Sequence, residues 1–132
     1  GRPTVLTPHP LEAARLLAGT TAAVQADRLA AARTLADQYG CTVLLKGSGS
    51  VIAAPGHTPL INPTGNARLA TGGTGDVLAG LVGARLAAEP AQAGAAFAAA
   101  GNACWEHGAA ADRWPAGRSL TAGALARALN AG

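Results

Sequence analysis

The apolar positions of this chain fall into short continuous runs and helical stripes, separated by turns that carry glycine or proline. Thr4 to Thr7 reads as a short apolar strand that stops at Pro8-His9-Pro10. A helix is predicted from Pro10 to about Ala18, because proline suits the first helical position and Glu12 stands where a carboxylate can reach back to cap. A second helix, roughly Val24 to Gln38, turns Val24, Leu29, Ala32 and Leu35 inward and Asp27, Arg28, Arg33 and Asp37 outward, and Gly40 ends it. Cys41 to Leu45 is a continuous apolar run with β-branched members, the pattern of a strand covered on both faces. Lys46-Gly47-Ser48-Gly49 then turns the chain into a returning strand, Ser50 to Ala53, and Pro55-Gly56-His57 turns it again before Thr58 to Ile61. After Asn62-Pro63-Thr64-Gly65 come a glycine-rich loop and a helix to about Ala88, and Pro90 opens an alanine-rich helix to about Asp112. Thr121 caps a last short helix to Leu129.

This order of elements implies an α/β layered domain with three or four strands. So small a sheet leaves apolar strand edges uncovered. The 132 residues contain no methionine, position 1 included. The expectation is a single partial domain over residues 1–132, a segment of a longer protein whose upstream part supplies the remaining parallel strands. The 49% apolar content comes from alanine-rich helices, with no uninterrupted apolar stretch of about 18 residues and no signal-peptide pattern. That favours a cytoplasmic protein with no membrane association. The net charge of +3 comes from basic residues scattered singly, which argues against a nucleic-acid surface. Nine of the ten cationic residues are arginine, so Lys46 is the sole lysine. Cys41 and Cys104 have no partner ligands at metal spacing and read as reduced core thiols.

Candidate chemistry concentrates between Asn66 and Gly80, where Asp76 directly follows Gly72-Gly73-Thr74-Gly75 at the expected start of a helix. Glycines let such a loop bring backbone N–H groups against an anion, and the helix dipole adds partial positive charge. A carboxylate there would repel phosphate, but it could take the proton of an attacking hydroxyl and aim that oxygen at phosphorus. The plainer reading is a glycine-rich turn with an acidic residue in the first helical turn, where the dipole favours it anyway. Val77, Leu78, Leu81 and Val82 give the helix an apolar stripe, and Ala79, Gly80, Gly83 and Ala84 are expected to let it approach a neighbour closely.

Lys46 stands at the carboxyl end of a buried strand, where ligands of open α/β sheets gather. Gly47, Ser48, Gly49 and Ser50 add backbone donors and small hydroxyls suited to a nucleotide; the alternative is a solvated turn lysine. No P-loop motif occurs. His9 is either a turn histidine satisfied by nearby backbone or a substrate ligand at another strand's carboxyl end. Capping fully accounts for Glu12. His57 is expected to be exposed in its turn and His107 to pack on a helix face.

Together, Thr7-Pro8-His9-Pro10-Leu11-Glu12, Leu45-Lys46-Gly47-Ser48-Gly49-Ser50, Asn62-Pro63-Thr64-Gly65-Asn66 and Ala70-Thr71-Gly72-Gly73-Thr74-Gly75-Asp76-Val77-Leu78-Ala79-Gly80 resemble the ADP/ATP-dependent NAD(P)H-hydrate dehydratases. These are ribokinase-like proteins. The similarity spans almost the whole chain and only the carboxyl-terminal half of that domain, so it implies part of a layered α/β/α fold. It further implies a metabolite-repair lyase that restores NADH and NADPH from their hydrates, consuming ADP or ATP with Mg²⁺, through phosphorylation of the hydrate hydroxyl and loss of phosphate. Carried over by motif, Asp76 would be the catalytic base and, with His9, contact the hydrate. Lys46, Gly47, Ser48, Gly49, Ser50 and Gly75 would contact the nucleotide. Asn66, Thr71, Gly72, Gly73 and Thr74 would line the phosphates, with the N–H groups of Gly73, Thr74 and Gly75 facing the transferred group. A homo-oligomer and a fused upstream hydrate epimerase are further family expectations.

Two departures from the family pattern stand out. Ala67-Arg68 replaces a common Pro-Gly, leaving Arg68 either near the phosphates or in solvent; Ser50 replaces a common threonine and keeps the hydroxyl. A ribokinase-like kinase of a vitamin precursor or sugar, and a non-catalytic nucleotide-binding half-domain, are the alternatives.

Overall fold

The computed structural model describes residues 2–130. Its centre is a four-stranded sheet in the order β1 (Val5–Leu6), β2 (Thr42–Leu45), β3 (Val51–Ala53), β4 (Leu60–Ile61). β1 and β2 run parallel with Val5 opposite Thr42, and the β2–β3 and β3–β4 pairs are antiparallel. Every residue of β2 and β3 is buried, as the uninterrupted apolar run of β2 requires.

Alternation along these strands divides the core. Val43, Leu45, Val51 and Ala53 face a layer built by α1 (Pro10–Leu16), α2 (Thr21–Ala26) and α3 (Arg28–Tyr39), which contributes Ala13, Val24, Ala32 and Leu35. Leu44 and Ile52 face the opposite layer, where α4 (Thr74–Ala88) and α5 (Ala95–Asp112) contribute Leu78, Val82, Ala100 and Cys104. A third cluster joins the end of α5 to α6 (Ala122–Asn130) through Ala111, Leu120 and Leu125. The predicted layered α/β/α arrangement is therefore present, and both cysteines are free thiols that burial pushes above their ordinary range.

Several element boundaries differ from the sequence reading for local reasons. The single helix expected over 24–38 is two. Asp27 breaks it with φ −149° and accepts the Ala30 N–H at 3.0 Å as the N-cap of α3, while Thr20 caps α2. The break rotates α3, so Leu29 is 41% exposed rather than inward and Arg28 is partly buried rather than outward. α5 starts at Ala95 instead of Pro90, because Gly94 holds φ 84° and a helix cannot continue through that conformation. Ala79, Gly80, Gly83 and Ala84 lie on the exposed side of α4, so they mediate no close helix approach within this chain. Thr121 caps α6 as expected, 3.2 Å from the Ala124 N–H.

α1 ends two residues before Ala18. Its last carbonyls are met by Gly19 N–H to Ala14 O (2.9 Å) and Ala18 N–H to Arg15 O (3.2 Å), the paired closure that places a left-handed residue just past the helix. Here that residue is Ala18, with φ 53°, and the glycine falls one place later. Alanine is disfavoured in this region, whereas glycine enters it without a Cβ penalty. Ala18→Gly is therefore expected to stabilise the fold by roughly 0.5 kcal/mol after the extra chain entropy of glycine is subtracted, read as a higher urea midpoint at unchanged m-value.

Candidate active site

The parallel β1–β2 pair brings two chain reversals to one end of the sheet. The Lys46 N–H donates to Pro8 O at 2.9 Å, tying the residue after β2 to the turn after β1. The Lys46 side chain reaches over to the start of α4, where its Nζ lies 3.1 Å from the position a Cβ on Gly75 would occupy. Lys46 also stands close enough to Glu12 to help hold that carboxyl below its ordinary value, although the main cause is the His9 N–H bond. Three of the four sequence motifs thus meet around one ammonium.

α4 begins without a side-chain cap. Gly73 is its N-cap at φ 87°, and a Cβ there would press to 3.0 Å on Ala122 of α6. The first-turn amides have no side-chain acceptor, those of Gly75 and Asp76 are left open, and Asp76 sits exposed beside them. Thr74 departs from expectation. It is buried, its hydroxyl donates to Leu69 O (2.6 Å) and approaches Thr71 O (2.9 Å), and its amide points back to Thr71 O at 3.4 Å. Thr74 is a strut of the loop rather than a free donor.

The same holds for other polar members of the predicted set. The Asn66 carboxamide accepts the Arg68 N–H (3.0 Å) and donates to Asp112 Oδ1 (3.0 Å), and Thr71 donates to Arg68 O (2.8 Å). Ser50 is buried, and its hydroxyl closes the preceding turn by accepting from Gly47 N–H (3.3 Å) and donating to Gly47 O (3.1 Å). These side chains shape the loops, and Gly47, Ser48, Gly72 and Gly73 are exposed beside them, with Gly49 and Gly75 partly so. Arg68 is exposed, the second of its two expected places, and its guanidinium donates to Trp114 O at 2.9 Å across the surface.

His9 proves to be the N-cap of α1. Its Nδ1 accepts the Glu12 N–H at 3.2 Å while Glu12 Oε1 accepts the His9 N–H at 3.1 Å, a reciprocal box in which histidine plays the part of serine. The turn role is thus observed. The ring stays exposed, with Nε2 3.2 Å from Glu12 Oε1, so it remains accessible beside Lys46.

Two anchoring residues, Asp112 and Arg28, went unrecognised in the sequence, and a third, His107, packs on its helix face as expected and bonds there as well. Asp112, at the end of α5, accepts from Gly65 N–H and Asn66 Nδ2, both at 3.0 Å. Arg28 bonds the loop after β2. His107, buried on α5, donates from Nε2 to Thr74 O at 3.0 Å; a carbonyl only accepts, so the Nε2–H tautomer is required. Asp112 and Arg28 act on partners 17 to 47 residues away, beyond the reach of any local pattern. Among the described residues no group of three or more His, Cys, Asp or Glu side chains is placed to hold a metal, and no helix is long and apolar enough to cross a membrane.

Comparison with known proteins bears on the fold and the family. A family model for NAD(P)H-hydrate dehydratase matches residues 1–131. The chain is 49% identical over 122 residues to the ADP-dependent (S)-NAD(P)H-hydrate dehydratase of Neisseria meningitidis, covering 92% of this chain and 40% of that protein. It is 47% identical over 108 residues to the bifunctional NAD(P)H-hydrate repair enzyme of Escherichia coli, covering 82% and 20% respectively. A solved structure of the Bacillus subtilis ADP/ATP-dependent NAD(P)H-hydrate dehydratase, co-crystallised with ATP and Mg²⁺, superimposes with a TM-score of 0.84 at 35% identity, over 98% of this chain and 46% of that one. The chain therefore spans less than half the length of these relatives.

Burial holds the His107 imidazole below its ordinary value of 6.5, with the Thr74 bond opposing the shift. An unfolded chain takes up this proton as pH falls through 6.5 while the folded chain resists it, so folding stability drops with pH from about 6.5 down to the lowered folded value and then levels. Urea midpoints measured between pH 7.5 and 5.5 are expected to fall more steeply for the wild type than for His107→Gln, which keeps a donor for Thr74 O but cannot titrate.

Proposed function

The chain belongs to the NAD(P)H-hydrate dehydratase family, and from that premise we propose that it forms the carboxyl-terminal, nucleotide- and hydrate-binding half of an enzyme that returns hydrated NADH or NADPH to the active cofactor. The observation that carries this reading is the convergence of Lys46, Gly75 and the His9 turn at one end of the sheet, beside the uncapped start of α4. An acceptor hydroxyl, a phosphoryl donor and a proton acceptor all find partners within that space.

In the proposed reaction, ADP or ATP lies along the Lys46–Ser50 loop with its phosphates towards the α4 terminus. The hydroxyl oxygen of the hydrate attacks the terminal phosphorus, its proton passes to the Asp76 carboxylate, and the nucleotide leaves one phosphate shorter. Backbone N–H groups at the start of α4, with Lys46 beside Gly75, stabilise charge on the transferring group. Phosphate then departs from the ring carbon as the neighbouring carbon gives up a proton to water, and the C–H electron pair restores the ring double bond. His9, held by its cap, presents Nε2 to the hydrate. Mg²⁺ belongs to the same proposal, carried on the nucleotide phosphates, where it would neutralise their charge.

The remaining parallel strands would add beside β1, completing a ribokinase-like domain from the part of the relatives' length that this chain does not span. Cytoplasmic location, a homo-oligomeric assembly and a fused hydrate epimerase belong to the same proposal.

The test is recovery of reduced-nicotinamide absorbance from purified NADH hydrate by the native gene product that carries these residues, with Mg²⁺ and either ADP or ATP. Nucleotide-dependent recovery is expected. Its absence in folded protein that still binds a nucleotide would transfer the site to a ribokinase-like kinase acting on a vitamin precursor or sugar. In the same assay Asp76→Asn should retain nucleotide affinity and lose about 10²-fold or more in turnover, because an amide cannot accept the proton. Turnover close to wild type would remove Asp76 from the role of base.

A further inference from the structure

We propose that Arg28 is the positioning residue of the Lys46–Ser50 loop, setting nucleotide affinity by fixing the direction of the loop's peptide groups without touching the ligand; the proposal rests on the reading of that loop as the nucleotide site. Arg28 opens α3 on the far side of β2 from α4 and α5. Its guanidinium donates from Nη1 to Ser48 O (3.1 Å) and from Nη2 to Gly49 O (3.3 Å) and Leu45 O (3.4 Å). One planar fork thus gathers three carbonyls that bracket the turn.

The consequence lies on the opposite side of each peptide. No described peptide bond is cis, and in a trans peptide the N–H points away from the C=O. Drawing the Ser48 and Gly49 carbonyls to Arg28 turns the Gly49 and Ser50 amides away from it. An anionic ligand lying across the loop then meets N–H dipoles instead of carbonyl oxygens, the polarity that phosphate binding needs. Gly47 completes the fit, since a Cβ there would overlap the guanidinium of Arg28.

Two features set this arginine apart from an ordinary surface residue. It occupies the first position of a helix, where the dipole disfavours a cation, so the loop carbonyls supply the compensating partial negative charge. Its Nε is also buried with no hydrogen-bond partner, a polar group left unmet while the fork is placed on the loop.

The experiment uses the native gene product carrying these residues, with ADP titrated calorimetrically and steady-state kinetics run on NADH hydrate. Arg28→Met keeps the side chain's length and removes its donors. It should weaken ADP binding and raise the nucleotide KM by about tenfold while the hydrate KM stays within about twofold. Arg28→Lys keeps the charge but loses the fork, and should recover part of the affinity, leaving a loss of about threefold. A residue that serves folding alone would lower the melting temperature without dividing the two KM values in this way. Folded Arg28→Met with unchanged ADP affinity would overturn the proposal and leave the nucleotide site standing. Should Arg28→Met fail to fold, unchanged affinity in Arg28→Lys would overturn it equally. Wild-type protein that binds neither ADP nor ATP would remove the nucleotide reading and this proposal together.

Discussion

β2 shows water none of its four side chains, and the rest of the structure answers to that constraint. A strand buried on both faces has to be covered by a layer on each side, which α1 to α3 and α4 with α5 provide. It must also sit inside a sheet rather than at its edge, so β1 joins it in parallel and β3 in antiparallel. The chain can regain solvent only at the strand's end, at Lys46. Parallel pairing puts the end of β1 at the same level, and the single bond from Lys46 N–H to Pro8 O holds the two turns together. The location of the candidate site follows from strand burial before any catalytic residue is considered.

α5 supplies the second axis of order. Along its inner side, the Cys104 and Trp105 carbonyls receive bonds from Asn62 and Thr64, Gly108 leaves room for Thr64, and Asp112 receives Gly65 and Asn66. His107 meets the first carbonyl of α4. One long helix therefore registers both the turn after β4 and the start of α4. The bidentate contact between Arg85 and Glu106 secures α4 to the same helix at the surface.

The layered fold, its four strands and the residues at the strand ends were legible because each rests on a short-range signal: an apolar run, a proline, a glycine turn or a capping residue. Legibility failed where geometry depends on partners remote in sequence. Nothing near Arg28 indicates that a loop about 20 residues on will collect its guanidinium, and nothing near Asp112 points to Gly65. Helix length failed in another way. Apolar periodicity ran through Asp27 without interruption, yet a side chain able to cap its own following turn was enough to divide the helix. His9 was recognised as a residue of interest, but histidine's ability to act as an N-cap lies outside the usual serine, threonine and aspartate vocabulary. Asn66, Thr71 and Thr74 lie in the expected loop, but their hydrogen bonds face inward, which sequence position alone does not report.

That inward commitment of the loop side chains has a consequence for how such a site changes over time. A surface presented by peptide groups has the same chemistry whichever residue stands at each position, provided the curve of the backbone is kept. Threonine in place of Ser50 can close the same turn through its own hydroxyl, so an exchange there leaves the outward face as it was. Ser50, Asn66, Thr71 and Thr74 then describe scaffolding, and the surface they hold in place is written in a backbone that carries no letter at all.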